Sequence, residues 1–214
     1  MYIDTIRLEN IRGFRELEFS FDRGEGQYAG WTVLTGDNGS GKSTVLRSMA
    51  LMLAGPTVAL ALQPGYAKWV RKDSGQSAIR IGIVRTRGDD EYPALGATWP
   101  GEQISLASTV TLWNQGKNFI TWRDPYNVTS DSQQASEIAK ESLWSAMRQG
   151  WFSLGYGPFR RISRSSQDTN TLMADPEAGR FATLFQESAS LAETDEWLRQ
   201  LSYKRLGGHA KEGQ

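Results

Sequence analysis

The stretch Leu34-Thr35-Gly36-Asp37-Asn38-Gly39-Ser40-Gly41-Lys42-Ser43-Thr44 constrains this chain more than any other. It contains the phosphate-binding loop pattern G-x-x-x-x-G-K-[ST], with Gly36, Gly41, Lys42 and Ser43 at the required spacing. Glycines let the backbone turn sharply and bring its N–H groups close to phosphate oxygens. Lys42 supplies a compact charge for β- and γ-phosphates, and the Ser43 hydroxyl can ligate Mg²⁺. The pattern needs a buried strand before it and a helix after it. Trp31-Thr32-Val33-Leu34 is a β-branched and aromatic run that predicts the strand. Thr44 to Leu53 carries Val45, Leu46, Met49, Leu51, Met52 and Leu53 and predicts a helix whose N-terminus faces the anion.

Composition narrows the chemistry around that loop. The chain has 214 residues, enough for one substantial core or a domain with a subdomain. Its 24 basic and 24 acidic residues cancel, so overall charge gives no argument for nucleic acid. There are no cysteines, which excludes disulfides, thiolate metal sites and cysteine nucleophiles. The one histidine, His209, stands near the end, which argues against a histidine metal site or triad. The apolar stretch from Val45 to Leu62 is broken by Arg47 and Gly55-Pro56 and does not make a membrane span. No signal-peptide pattern opens the chain, and the expected location is the cytoplasm.

Strands are expected at Tyr2–Leu8, where Ile3, Ile6 and Leu8 alternate with polar residues, and at Leu17–Phe21, after a bend at Asn10-Ile11-Arg12-Gly13-Phe14. Residues 22–30 form a Gly-rich loop. Beyond the first helix, Val58–Leu62 predicts a short helix and Ala78–Arg85 a strand. Ser108–Trp113 and Asn118–Trp122 flank Asn114-Gln115-Gly116-Lys117, a hairpin signal. The middle third, about residues 76–125, is therefore an expected antiparallel β insert. A helical period runs through about 131–150, and Trp151–Gly157 predicts a buried strand. Ile162–Gly179 is rich in Ser, Asp, Thr and Asn and predicts a mobile loop. Phe181–Phe185 and Asp195–Leu206 predict helices, and residues 207–214 an unpacked tail. Residues 1–206 are expected to form one lobe.

The order of strand, Asn10-x-Arg12-Gly13-Phe14 bend, alternating strand and Gly36-x-Asn38-Gly39-x-Gly41-Lys42-Ser43-Thr44 resembles the N-terminal half of ABC-type ATPase heads of the SMC/RecF/OLD-like group. That group opens with a motif like I-x-x-L-x-x-N-F-R-x-F, matched by Ile6-Arg7-Leu8-Glu9-Asn10-Ile11-Arg12-Gly13-Phe14. Asn38 is the residue the group commonly has at that loop position. The resemblance implies an α/β P-loop NTPase lobe with an antiparallel β subdomain, the N-terminal half of the full fold. It implies ATP and Mg²⁺ as ligands, held by Gly36, Asp37, Asn38, Gly39, Ser40, Gly41, Lys42, Ser43 and Thr44, with Ser43 on the metal. It also implies that Arg12 approaches the bound phosphates, although the residues alone equally fit a surface arginine at a strand bend. As partners it implies a second head, in a homodimer of the complete protein, or a C-terminal lobe. DNA comes only through the resemblance, without support from charge. Some members of the group, prokaryotic ATPases with a similar insert and a segment like Gly155-Tyr156-Gly157-Pro158-Phe159-Arg160-Arg161, serve anti-phage defence.

Several parts of a hydrolytic site are missing. Hydrolysis needs a carboxylate after an apolar strand and a group that positions water. The nearest approach is Ile81–Val84, separated by four residues from Asp89-Asp90-Glu91. No Leu-Ser-Gly-Gly-like signature turn is present. The strand end Gly155-Tyr156-Gly157 carries no Gln, with Gln149 and Gln167 on either side. The expectation is an ATP-binding lobe that needs a C-terminal lobe or partner for hydrolysis. Two alternatives stay open: a small P-loop kinase, for which Arg160, Arg161 and Arg164 could act as lid cations, and a non-catalytic interaction module with a relict loop. ATP is favoured over GTP only because no guanine-reading Asn-Lys-x-Asp pattern occurs.

Overall fold

The computed structural model describes residues 1–28, 30–66, 68–84, 103–112, 118–121, 144, 150–158 and 167–186. The chain divides into two compact units, Met1–Ser153 and Leu154–Gln214.

The first unit is built on β1 (Tyr2–Ile11), β2 (Phe14–Ser20), β3 (Gln76–Val84), β4 (Gln103–Leu112) and β5 (Asn118–Thr121). They form one antiparallel sheet in the order β2-β1-β3-β4-β5. The first two strands and the expected insert are thus continuous, because β1 pairs with β2 on one edge and β3 on the other. Register explains the core. Ile6 stands opposite Phe19 and Ile81, and Leu8 opposite Leu17 and Ile79. With side chains alternating between faces, these apolar residues share one face. Ile6, Leu8, Ile79, Ile81 and Ile83 are fully or almost fully buried. The other face carries Arg7, which pairs with Glu9 and Glu16 at 2.9 Å, and Arg80, which pairs with Glu9 at 2.5 Å.

Two helices follow β2, α1 (Lys42–Ala54) and α2 (Pro56–Leu62). Pro56 starts α2, where its missing N–H is no loss. Ala50, Leu51, Met52 and Ala59 are buried, so the apolar run of α1 and α2 supplies the second layer of the core. The Trp144 indole donates to the Met52 carbonyl at 3.1 Å, satisfying one of the carbonyls left open at the end of α1.

The expected strand at Trp31–Leu34 is corrected. These residues belong to no strand, and Trp31 and Val33 are 92% and 77% exposed. The Arg23 guanidinium donates to the Trp31 carbonyl. The backbone groups of residues 32–35 meet no partner among the described residues. β-propensity is a fit to a paired, half-buried surface, and without a neighbouring strand it makes no ladder.

The expected strand at Trp151–Gly157 is likewise corrected, since these residues belong to no strand. Within the second unit, Gly155 donates to the Arg180 carbonyl at 2.9 Å, and Gly157 donates to Thr183 Oγ1 at 3.2 Å. These residues lie on a helix, α4 (Gly179–Phe185), the expected helix at Phe181–Phe185. A Cβ on Gly157 would overlap the Thr183 carbonyl oxygen, so only glycine allows the approach.

The expected loop at Ile162–Gly179 is also corrected, since Gln167–Ala174 forms a helix, α3. Its Asp, Asn and Thr are weak helix formers, and packing overrides propensity: Thr169 and Phe181 are 4% and 2% exposed. Asp175 Oδ1 then accepts the amides of Glu177 and Ala178, both at 2.8 Å, and closes the turn into α4. The acidic stretch 88–91, most of the helical period at 131–150, residues 159–166 with Arg160, Arg161 and Arg164, the helix at 195–206 and the tail at 207–214 lie outside the described residues. Among the described residues no helix is long and apolar enough to cross a membrane.

Candidate functional site

The loop at residues 36–41 ends on Gly41, whose φ of 96° is left-handed backbone that only glycine adopts without strain. α1 starts at the next residue, Lys42. No side chain among the described residues caps this helix N-terminus; the Thr44 amide donates to the Gly41 carbonyl at 2.8 Å, and the amides of Lys42 and Ser43 stay available to an anion. Of the motif residues 36–44, Lys42, Ser43 and Thr44 belong to α1. The Ser43 hydroxyl stands on an exposed residue, and Thr44 is 5% exposed beneath it.

Lys42 Nζ donates to the carbonyls of Gly36 and Asp37, each at 2.7 Å, and to Ser40 Oγ at 3.3 Å. The ammonium is therefore folded back over the loop and held by neutral oxygens. No carboxylate pairs with it among the described residues. A positive charge beside unsatisfied helix amides is a field for a polyphosphate.

The turn joining β1 and β2 forms the opposite wall. A cavity of about 510 Å³ lies between them, lined by Arg12, Gly13, Phe14 and residues 38–44. The Phe14 ring lies against Gly41, where an added Cβ would come within 2.5 Å of its Cε2. Arg12 has a φ of 49°, and its guanidinium stands over the Trp69 ring, 4.6 Å from the centroid. Burial lowers the Arg12 pKa below its ordinary value, and the charge of Arg47 pushes the same way. The guanidinium remains charged at neutral pH. Among the described residues no carboxylate pairs with Arg12.

Of the ten residues expected to hold nucleotide, the cavity brings together Arg12, Asn38, Gly39, Ser40, Gly41, Lys42, Ser43 and Thr44. Gly36 and Asp37 do not line it and instead hold Lys42 through their carbonyls. Sequence reasoning passed over two contributors. Phe14 was visible in the bend motif but carried no role. Trp69 had no signal, because the stretch 63–75 around it carries no clear period. Among the described residues no group of three or more Asp, Glu, His or Cys gathers to hold a metal.

Comparison with known proteins adds a family. The sequence profile of a family described as an AAA domain matches residues 5–133. The chain is 25% identical over 143 residues to a DNA double-strand break repair Rad50 ATPase of Methanosarcina acetivorans, covering 67% of this chain and 12% of that protein. It is 35% identical over 54 residues to the Septu protein PtuA of Bacillus mycoides, covering 25% of this chain and 8% of that protein. The chain thus spans about a tenth of the length of these relatives. A solved structure from work on ATP-driven dimerization and DNA-stimulated activation of SMC ATPases aligns with a TM-score of 0.42 at 15% identity, covering 66% of this chain and 79% of that one.

Proposed function

The chain belongs to this AAA-domain family, and we propose that it is the ATP-binding lobe of an SMC/Rad50-like ATPase that takes Mg-ATP at the cavity between the β1–β2 turn and the start of α1. One observation carries the reading. Two cations with no carboxylate partner among the described residues, Lys42 and Arg12, face one cavity at an uncapped helix N-terminus. Unpaired charges beside free amides suit an anion with several oxygens.

In this reading the amides of Gly41, Lys42 and Ser43, which meet no backbone acceptor among the described residues, donate to the phosphates. Lys42 exchanges its carbonyl partners for the β- and γ-phosphates. Arg12 brings a second charge from the opposite wall, and Phe14 closes the cavity beside Gly41. The Ser43 hydroxyl, exposed in the lining, fits one ligand position of a Mg²⁺ ion. Bound Mg²⁺ would neutralise phosphate charge. The remaining ligands would come from the nucleotide and water.

Hydrolysis is proposed to need a C-terminal lobe or a second head. Trp31–Leu34 supports this, with backbone that meets no ladder and two exposed apolar side chains directly before the loop. Such an edge is a template for another strand. ATP would then bias the association of two heads, as a ligand that favours one state over another. A homodimer in the complete protein, a cytoplasmic location and the anti-phage setting implied by the resemblance belong to the same proposal. DNA gains no support from the balanced charge.

Titration calorimetry with Mg-ATP tests it. Lys42→Ala removes a charge-assisted contact of about 1.5–3 kcal/mol, a loss of roughly 10- to 150-fold in affinity. Turnover by the parent chain should stay near background. Equal ATP affinity in Lys42→Ala and the parent refutes the site.

A further inference from the structure

Arg12 is held from behind by an unusual set of contacts. Its amide donates to the Trp69 carbonyl at 2.7 Å, and the Arg71 amide donates to the Asn10 carbonyl at 2.9 Å. Ile11 and Val70 form an antiparallel bridge between them. Arg71 Nη1 reaches the Gly13 carbonyl at 3.2 Å. The segment 69–71 therefore runs as a short splint along the turn, on which Asn10 and Arg12 both hold left-handed backbone, at φ 52° and 49°. Left-handed backbone at a residue other than glycine persists only where its surroundings over-determine it.

The splint is itself anchored. Trp69 is fully buried, and its ring lies 5.8 Å from that of Tyr66. The Tyr66 hydroxyl donates to the Ala59 carbonyl of α2 at 3.1 Å. Among the described residues the Trp69 indole N–H meets no acceptor. Its polar edge thus contributes nothing to hydrogen bonding there, and what the ring offers Arg12 is its face. The charge of Arg47 also acts against the guanidinium. An arginine pushed by one cation and drawn by an aromatic face has few places to stand.

We propose that Trp69 is a positioning residue for the nucleotide site, fixing the Arg12 guanidinium at the cavity wall before the phosphates arrive. The inference rests on the reading of the cavity as an ATP site. Binding normally orders a flexible arginine, at about 0.5–1.5 kcal/mol for a rotamer-rich side chain, and Trp69 meets that cost in advance. Removing the ring face therefore lowers ATP affinity by about two- to twelvefold.

A double-mutant cycle on the full chain tests it, with Mg-ATP affinity as the readout. Trp69→Leu should weaken binding by that factor when Arg12 is present and leave it unchanged in an Arg12→Ala background. Trp69→Phe, which keeps a ring face, should retain most of the affinity. Equal losses in both backgrounds would mean that Trp69 acts through the fold, and the proposal falls. If Trp69→Leu does not fold, 5-fluorotryptophan labelling decides. The Trp69 ¹⁹F resonance, assigned with Trp69→Phe, should move on adding Mg-ATP to the parent and stay still in Arg12→Ala. Movement in both, or in neither, overturns the proposal. Lys42→Ala keeps the two levels apart: undiminished ATP binding there sinks the site itself, whereas a Lys42-dependent site without Arg12–Trp69 coupling sinks only the positioning role.

Discussion

Replacing Gly41 by Ala probes the junction of loop, helix and β1–β2 turn. Two separate penalties meet there. The first is conformational: Gly41 has φ 96°, and a residue with a Cβ loses about 1–2 kcal/mol in left-handed backbone. The second is steric, because the new Cβ would lie 2.5 Å from Cε2 of Phe14. Displacing a packed group costs about 1–3 kcal/mol, and the half-buried Phe14 ring, free to swing partly into solvent, sits at the lower end of that range. Gly39→Ala is the internal control. Gly39 has φ 84°, yet a Cβ there meets nothing within 4 Å, so only the conformational penalty applies. Gly41→Ala should therefore destabilise the start of α1 by about 1 kcal/mol or more beyond Gly39→Ala. Hydrogen exchange of α1 peptides measures the local opening free energy. Phe14→Ala should erase the difference, since it removes the ring that the methyl strikes. If the two glycine variants agree within about 0.5 kcal/mol, and Phe14→Ala changes neither relative to the other, the ring does not pack on the loop.

Two further perturbations address the scaffold. Burial raises the Tyr66 pKa, so the folded chain holds the phenol proton at a pH where the unfolded chain releases it. That contribution is complete below the ordinary tyrosine value of about 10 and is lost as pH rises beyond it, by up to about 1.4 kcal/mol per pH unit. Tyr66→Phe should flatten the alkaline fall in stability, measured as the difference between variant and parent denaturation midpoints from pH 9 upward; parallel curves would count against a buried, neutral phenol. In the second unit, Gly157→Ala drives a methyl into the Thr183 carbonyl, a backbone group that cannot swing aside. The segment should leave α4 and become sensitive to limited proteolysis near Tyr156, and an unchanged cleavage pattern would contradict the packing.

Much of the candidate site was legible along the chain because its parts are local. Residues 38–44 line the cavity as one continuous stretch, and glycine, lysine and serine at that spacing already specify a turn, a charge and a helix start. Arg12 and Phe14 were visible as a second local motif, but their meeting with the loop depends on the β1–β2 hairpin folding back beside α1. The strands of the first sheet were equally readable, since alternation at Ile6, Leu8, Ile79, Ile81 and Ile83 needs only near neighbours to be recognised. Sheet order was not, because pairing β1 with β3 joins residues separated by the whole loop and both helices.

The one-dimensional pattern determined where backbone must turn, which faces are apolar and which stretch lines the cavity. Tertiary structure decided three things that no local pattern contains. It left Trp31–Leu34 without a ladder, because a strand exists only through its partner. It made Gln167–Ala174 helical against weak propensity, because burial of Thr169 and packing on α4 outweighed the preference of Asp and Asn for turns. It set Trp69 behind Arg12, because contacts between distant segments form only when the whole sheet and its helices close around a common core.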